Sequence, residues 1–177
     1  MLDKRWDFIK AAFFKLVLKL IPAKKGLIFL TLHHVEDRDF EWLGNILDYL
    51  KKDYDFINIS DIDQTDFINC QSANKKIVLT FDDAFKCHKR IADCILAPRD
   101  IKALFFVPTE FVGLTGLDAF EFTRQKFFPK SSPKTLEKGS YDAMDWDDLK
   151  NLVKSGHTIL YHAAAGGVGQ IFGQWAK

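Results

Sequence analysis

Apolar residues recur along this chain with two different periods, and the switches between them divide it into elements. Trp6, Ile9, Phe13, Leu16, Val17 and Leu20 fall on one face of a helix, with Lys4, Lys15 and Lys19 on the other. Pro22 to Gly26 end that helix. Leu27 to Leu32 form a short apolar strand that runs into His33-His34-Val35. Helical spacing returns at Phe40, Leu43, Ile46, Leu47 and Leu50. Phe56, Ile57 and Ile59 predict a second strand, and the polar residues 61–74 a connection. Ile77 to Phe81 is an unbroken β-branched and apolar run, the mark of a strand buried on both faces. A helix is predicted over 84–96 with Ile91, Cys94 and Ile95 inward, stopped by Pro98. Residues 101–107 form another buried strand, ended by Pro108.

The pattern is least regular over 114–141. Phe120, Phe122, Phe127 and Phe128 alternate with Arg124, Lys126 and Lys130. That segment fits either a ligand-stacking surface or a helix packed on the outside of the domain. Order returns at Asp145, a good N-cap with Asp148 in the capping-box position. Trp146, Leu149, Leu152 and Val153 share a face, and Gly156 suits the C′ position. A strand then starts at His157 or Thr158. Strands alternate with helices over 27–107, which predicts an α/β fold with parallel strands and crossover helices. A doubly wound sheet and a barrel both satisfy that alternation.

Composition narrows the function more than the fold. The chain has 177 residues, 47% of them hydrophobic, with 17 Phe, enough for one domain with a packed core. Its net charge of +1 gives no global field for nucleic acid. Cys70, Cys87 and Cys94 lack C-x-x-C spacing, and two helical turns hold Cys87 and Cys94 too far apart to bridge. They read as free thiols in a reducing, cytoplasmic setting.

The first 25 residues carry seven basic and two acidic side chains. Lys15 and Lys19 break the apolar run, so no span of about 18 residues could cross a bilayer, and no signal-peptide core is evident. Two accounts stay open. The helix lies on an anionic membrane surface through residues 1–21, at the inner face, or it packs on its own domain.

The chemistry concentrates where the central strand ends, in Asp82-Asp83. Adjacent carboxylates repel, so one of them calls for a cation or a raised pKa. The C-terminal rim of parallel strands is where α/β folds build active sites. The plainer account is that the two acids cap the next helix.

Three stretches in order, Ile77 to Ala84 (IVLTFDDA), Ile101 to Val107 (IKALFFV) and Met144 to Ile159 (MDWDDLKNLVKSGHTI), resemble the polysaccharide deacetylase family, the nodulation-factor deacetylase-like fold of carbohydrate esterase family 4. The resemblance runs over about 27–162. Ala84 stands where the family usually has Gly, and Leu104 where it has Thr. The resemblance implies a distorted (β/α) barrel, incomplete here, behind an N-terminal amphipathic helix. It also implies hydrolysis of N-acetyl groups on a polysaccharide or glycolipid sugar. Asp82 would be the general base, and Asp83 and His162 would hold a divalent metal such as zinc. His33 and His34 resemble the H-H-V that often ends the family's first strand. Either could touch substrate, and a hydrogen-bonded rim histidine is the plainer account.

The ending departs from the family. Its motif S-G-H-x-I-x-x-H continues to a second His four residues on, and here that position is Gly166. Two remaining ligands imply weak metal binding, or none, and impaired turnover. Thr158 to Lys177 (TILYHAAAGGVGQIFGQWAK) instead resembles the nucleotide-binding turn of quinone oxidoreductases in the medium-chain dehydrogenase family. This implies a join between unrelated segments near 153–162, with units at 1–25, 26–162 and 163–177. Two alternatives follow. One is an inactive fragment that binds a membrane surface or a partner. The other, a minor one, is an NAD(P)-binding quinone oxidoreductase fragment.

Overall fold

The computed structural model describes residues 26–62, 75–129 and 141–162. The N-terminal amphipathic segment 1–25, Cys70 and the glycine-rich tail 163–177 lie outside the described residues.

Among the described residues, five strands form one parallel sheet, as the strand–helix alternation predicts. β1 (Gly26–Leu32) pairs along its whole length with β3 (Lys75–Phe81), from Gly26 opposite Lys75 to Leu32 opposite Phe81. The other edge of β3 is shared. β2 (Asp55–Phe56) takes Lys76 and Ile77, and β4 (Ala103–Pro108) takes Leu79 to Phe81. β5 (Thr158–His162) runs beside β4. Among the described residues the sheet is open and not closed into a barrel. β1 and β5 have one partner strand each, and Phe29 and Leu160 are about half exposed.

α1 (Phe40–Leu50), α2 (Lys86–Ile91) and α4 (Trp146–Lys154) pack on one face of this sheet, and α3 (Gly116–Phe122) joins a separate aromatic cluster. Alternate strand residues share a face, so Leu79 and Phe81 line up with Phe105 and Val107. Leu43 and Leu47 of α1, Ile91 of α2 and Leu149 and Leu152 of α4 close over them. Phe81 and Phe105 stack at 5.1 Å across neighbouring strands. A second cluster gathers Phe85, Phe111, Phe120 and Tyr141. Phe127 packs edge-on against Phe111 and Phe85, so the aromatic segment is held by packing, the second of its two readings.

Local chemistry explains both the agreements and the departures. Asp145 accepts from the N–H groups of Asp147 and Asp148, and Asp148 accepts from the N–H of Asp145, completing the predicted capping box. Gly156 takes φ +86° just past α4. The second strand is shorter than expected. The Ile57 N–H still donates to Ile77, but Asn58 then caps a 3-10 turn at Ile59–Asp61. That turn lifts the chain off β3 and leaves its upper edge to β4. Cys94 is exposed, not inward: α2 continues through a π-helical turn at Ala92–Leu96, whose wider spacing carries residue 94 off the apolar face. Val153 is also exposed, because only Leu149 and Leu152 of α4 are buried.

Candidate active site

β3 brings its two acids to the rim and stops there. The Asp82 N–H donates to the Leu32 carbonyl at 2.9 Å, the last rung between β3 and β1. Asp83 and Ala84 then take φ +76° and +56°. Each left-handed residue other than glycine costs about 1–2 kcal/mol, so neighbouring contacts must hold the turn. Met144 donates its N–H to Ala84, Lys86 donates its N–H to Asp142, and Phe85 bridges antiparallel to Ala143. The Lys86 ammonium also pairs with Asp145 and Asp148, the two members of the capping box. Burial works against that charge, but the bonds to Asp148 and Asp145 outweigh it and hold the Lys86 pKa above its ordinary value. The start of α4 is thereby tied to the acid turn.

Asp82 and Asp83 do not cap α2. Phe85 occupies the N-cap position, and its side chain makes no cap hydrogen bond. The acids face His33 instead. His33 Nδ1 lies 3.0 Å from Asp83 Oδ2 and its Nε2 lies 3.7 Å from Asp82 Oδ2, so one imidazole spans both carboxylates. Burial raises the Asp82 pKa; His33 opposes the rise and the neighbouring charge of Asp83 adds to it. A cleft of about 370 Å³ opens in front of the pair, walled by Phe106 and Pro108 of β4 and by Leu160 and Tyr161 of β5.

The other two histidines expected at the site are placed differently. The His34 ring lies 4.5 Å from Tyr141 and edge-on to Phe85, against the aromatic cluster. His162 closes β5 in register with Pro108, at the same rim. Among the described residues, no three His, Cys, Asp or Glu side chains are grouped to hold a metal ion. The donor chemistry still suits a divalent cation: two adjacent carboxylates of like charge, with an imidazole beside them.

One residue at the site escapes a reading of the sequence. His88 is fully buried on α2, and its Nε2 lies 3.0 Å from the His33 carbonyl. The available signal is a polar residue three positions before Ile91, on the predicted inward face.

Comparison with known proteins sets this geometry in context. The sequence profile of the family described as polysaccharide deacetylase matches residues 70–165. Among solved structures, IcaB from Ammonifex degensii aligns with a TM-score of 0.56 and 23% identity, over 78% of this chain and 53% of that one. The Streptococcus pyogenes deacetylase PplD, solved in complex with acetate, aligns with a TM-score of 0.48 and 18% identity, over 80% of this chain and 57% of that one. The chain thus spans a little over half the length of these structures, and at such identities the likeness to IcaB is one of fold. No curated protein matches the sequence.

Proposed function

The chain belongs to the polysaccharide deacetylase family, and from that premise we propose that its acid turn hydrolyses N-acetyl groups on the sugars of a polysaccharide or glycolipid. One observation carries the reading: Asp82, Asp83 and His33 converge at the C-terminal rim of a parallel sheet, in front of an open cleft. Asp82 is the general base. Its raised pKa makes it a stronger proton acceptor than an ordinary carboxylate. It takes the proton of the attacking water, the C–N bond breaks, acetate forms, and the amine nitrogen receives a proton.

Asp83 and His162 are the residues that would hold a divalent ion such as zinc, which when bound polarises the acetyl carbonyl and lowers the pKa of water. His33 orients Asp83 through the 3.0 Å contact, and its exposed ring is the one we place towards substrate. His34 is assigned to the wall, since its ring is engaged by Tyr141 and Phe85. With Gly166 where the family has its second metal imidazole, binding of the ion is weak and turnover impaired. Residues 26–162 act as the deacetylase unit, and residues 1–21 favour an anionic membrane surface through their lysine-flanked apolar face.

The test is acetate release from N-acetylated chitooligosaccharide by the full chain, with zinc, with a chelator, and with Asp82→Asn. Slow release that needs zinc and disappears in Asp82→Asn is expected. Release indifferent to Asp82→Asn would remove the general-base assignment. No release by the parent chain at any zinc concentration would favour a binding role alone.

A further inference from the structure

Among the described residues, His88 is a polar side chain buried with one ring nitrogen unpartnered. It is fully buried among Phe81, Phe85 and Phe105, with ring centroids 4.9, 5.7 and 6.5 Å away. Its single hydrogen bond is to the main-chain carbonyl of His33 at 3.0 Å. A carbonyl only accepts, so Nε2 must carry the proton and Nδ1 is a bare acceptor. Among the described residues that Nδ1 has no partner. A buried unsatisfied acceptor costs free energy that a phenylalanine in the same aromatic surroundings would not. The bond to His33 is what a phenylalanine could not supply.

That carbonyl occupies a particular place. Sheet pairing between β1 and β3 ends at Leu32 and Phe81, and the Leu32 carbonyl takes the last rung from Asp82. The His33 carbonyl lies one residue beyond the ladder. Its side chain is 57% exposed, so packing does little to fix the ring that meets Asp82 and Asp83. Apart from the contact with Asp83, the ring's anchor comes through the main chain.

We propose that His88 is a positioning residue for His33: its Nε2–H holds the His33 carbonyl and thereby sets where the His33 imidazole stands between Asp82 and Asp83. Burial keeps the His88 pKa down at about 3, so the ring holds this one-proton form across the neutral range. The functional part of the inference rests on the deacetylase reading above; the geometric part does not.

The experiment is nuclear magnetic resonance on the ¹⁵N,¹³C-labelled full chain, with His88→Phe and His88→Gln beside it. In the parent, His88 should show a slowly exchanging Nε2–H and a bare Nδ1, and His33 should show one χ1 rotamer. Phe fills the aromatic pocket without a donor, so the His33 couplings should average. Gln restores an N–H and should restore the single rotamer. In acetate release, kcat should fall about tenfold or more in His88→Phe with little change in KM, and Gln should recover part of it. If the parent shows His88 protonated on Nδ1, or if His88→Phe leaves the His33 rotamer as in the parent, the proposal is overturned. Absence of acetate release by the parent would overturn the deacetylase reading alone, and the rotamer measurements would still decide the role of His88.

Discussion

The Met144 N–H donates to the Ala84 carbonyl at 2.9 Å, joining the residue before the α4 cap to the residue after the paired acids. Met144 is itself fully buried in the main core, and its own carbonyl accepts from Gly113. The side chain therefore anchors the strut that keeps Asp83 and Ala84 in left-handed conformations. Met144→Ala should destabilise the fold by about 2–5 kcal/mol, the range for a large buried side chain cut to a methyl. Urea unfolding gives the number. A loss under about 1 kcal/mol would mean that the strut does not depend on this side chain.

Ala84 sits at φ +56° with no exposed surface. Glycine there would release about 1–2 kcal/mol of left-handed strain and give up about 0.8 kcal/mol of buried methyl. Ala84→Gly should therefore leave stability within about 1 kcal/mol of the parent. Ala84→Val should cost about 2 kcal/mol or more, since a branched side chain in this conformation meets both strain and a full pocket. Equal thermal midpoints for all three chains would show that the turn relaxes freely.

This turn also shows how far the sequence can be read. The departure from the family's glycine is visible at Ala84 as a letter, but its positive φ is not. The strands at 27–32, 77–81 and 101–107 were legible because an apolar run bounded by turn residues is a local signal. The α4 capping box was legible because Asp145 and Asp148 act across three residues. β2 stops short of the apolar pattern because Asn58 ends it. Cys94 departs from the helical pattern because a π-helical turn breaks the 3.6-residue period. The pairing of Asp82 and Asp83 with His33 crosses about 50 residues, and only the parallel register of β1 and β3 brings them together. His88 gave little warning for the same reason: the carbonyl it serves lies on another element.

Two buried imidazoles make stability depend on acid. Burial lowers the His88 pKa to about 3 and the His157 pKa to about 4, the latter on a ring whose Nδ1 accepts from the Ala103 N–H. Unfolded histidine titrates near 6.5. Between those values the unfolded chain binds protons that the folded chain refuses, so stability falls as pH drops below about 6.5. Each histidine adds a slope of up to about 1.4 kcal/mol per pH unit. The loss is complete only as pH passes the folded values. Urea unfolding at pH 7.5 and at pH 5.5 should show a clear drop in midpoint, smaller in His88→Gln. A midpoint that holds or rises on acidification would mean that these rings are protonated in the fold.

Asp82 and Asp83 are neighbours in sequence, yet they stand differently towards His33, and the proposed reading gives them different work. Asp83 takes the close 3.0 Å contact with His33, while Asp82 stands 3.7 Å from the same ring with its pKa pushed up by burial. A base needs an ionised oxygen near the attacking water, and a ligand needs a lone pair held in place. Asn keeps the shape of either residue but removes the charge. Asp82→Asn should cut acetate release by about 10²–10⁴, the range for a lost general base, down to background in a slow parent. It should leave zinc affinity by calorimetry within about threefold, since the base is not one of the ligands. Asp83→Asn should weaken zinc by about tenfold or more, because with His162 it supplies the only two protein ligands proposed. Its loss of turnover should be partly recovered at high zinc, whereas that of Asp82→Asn should not. Equal zinc affinity in all three chains would take the ligand role from Asp83. Zinc rescue of Asp82→Asn would exchange the two assignments.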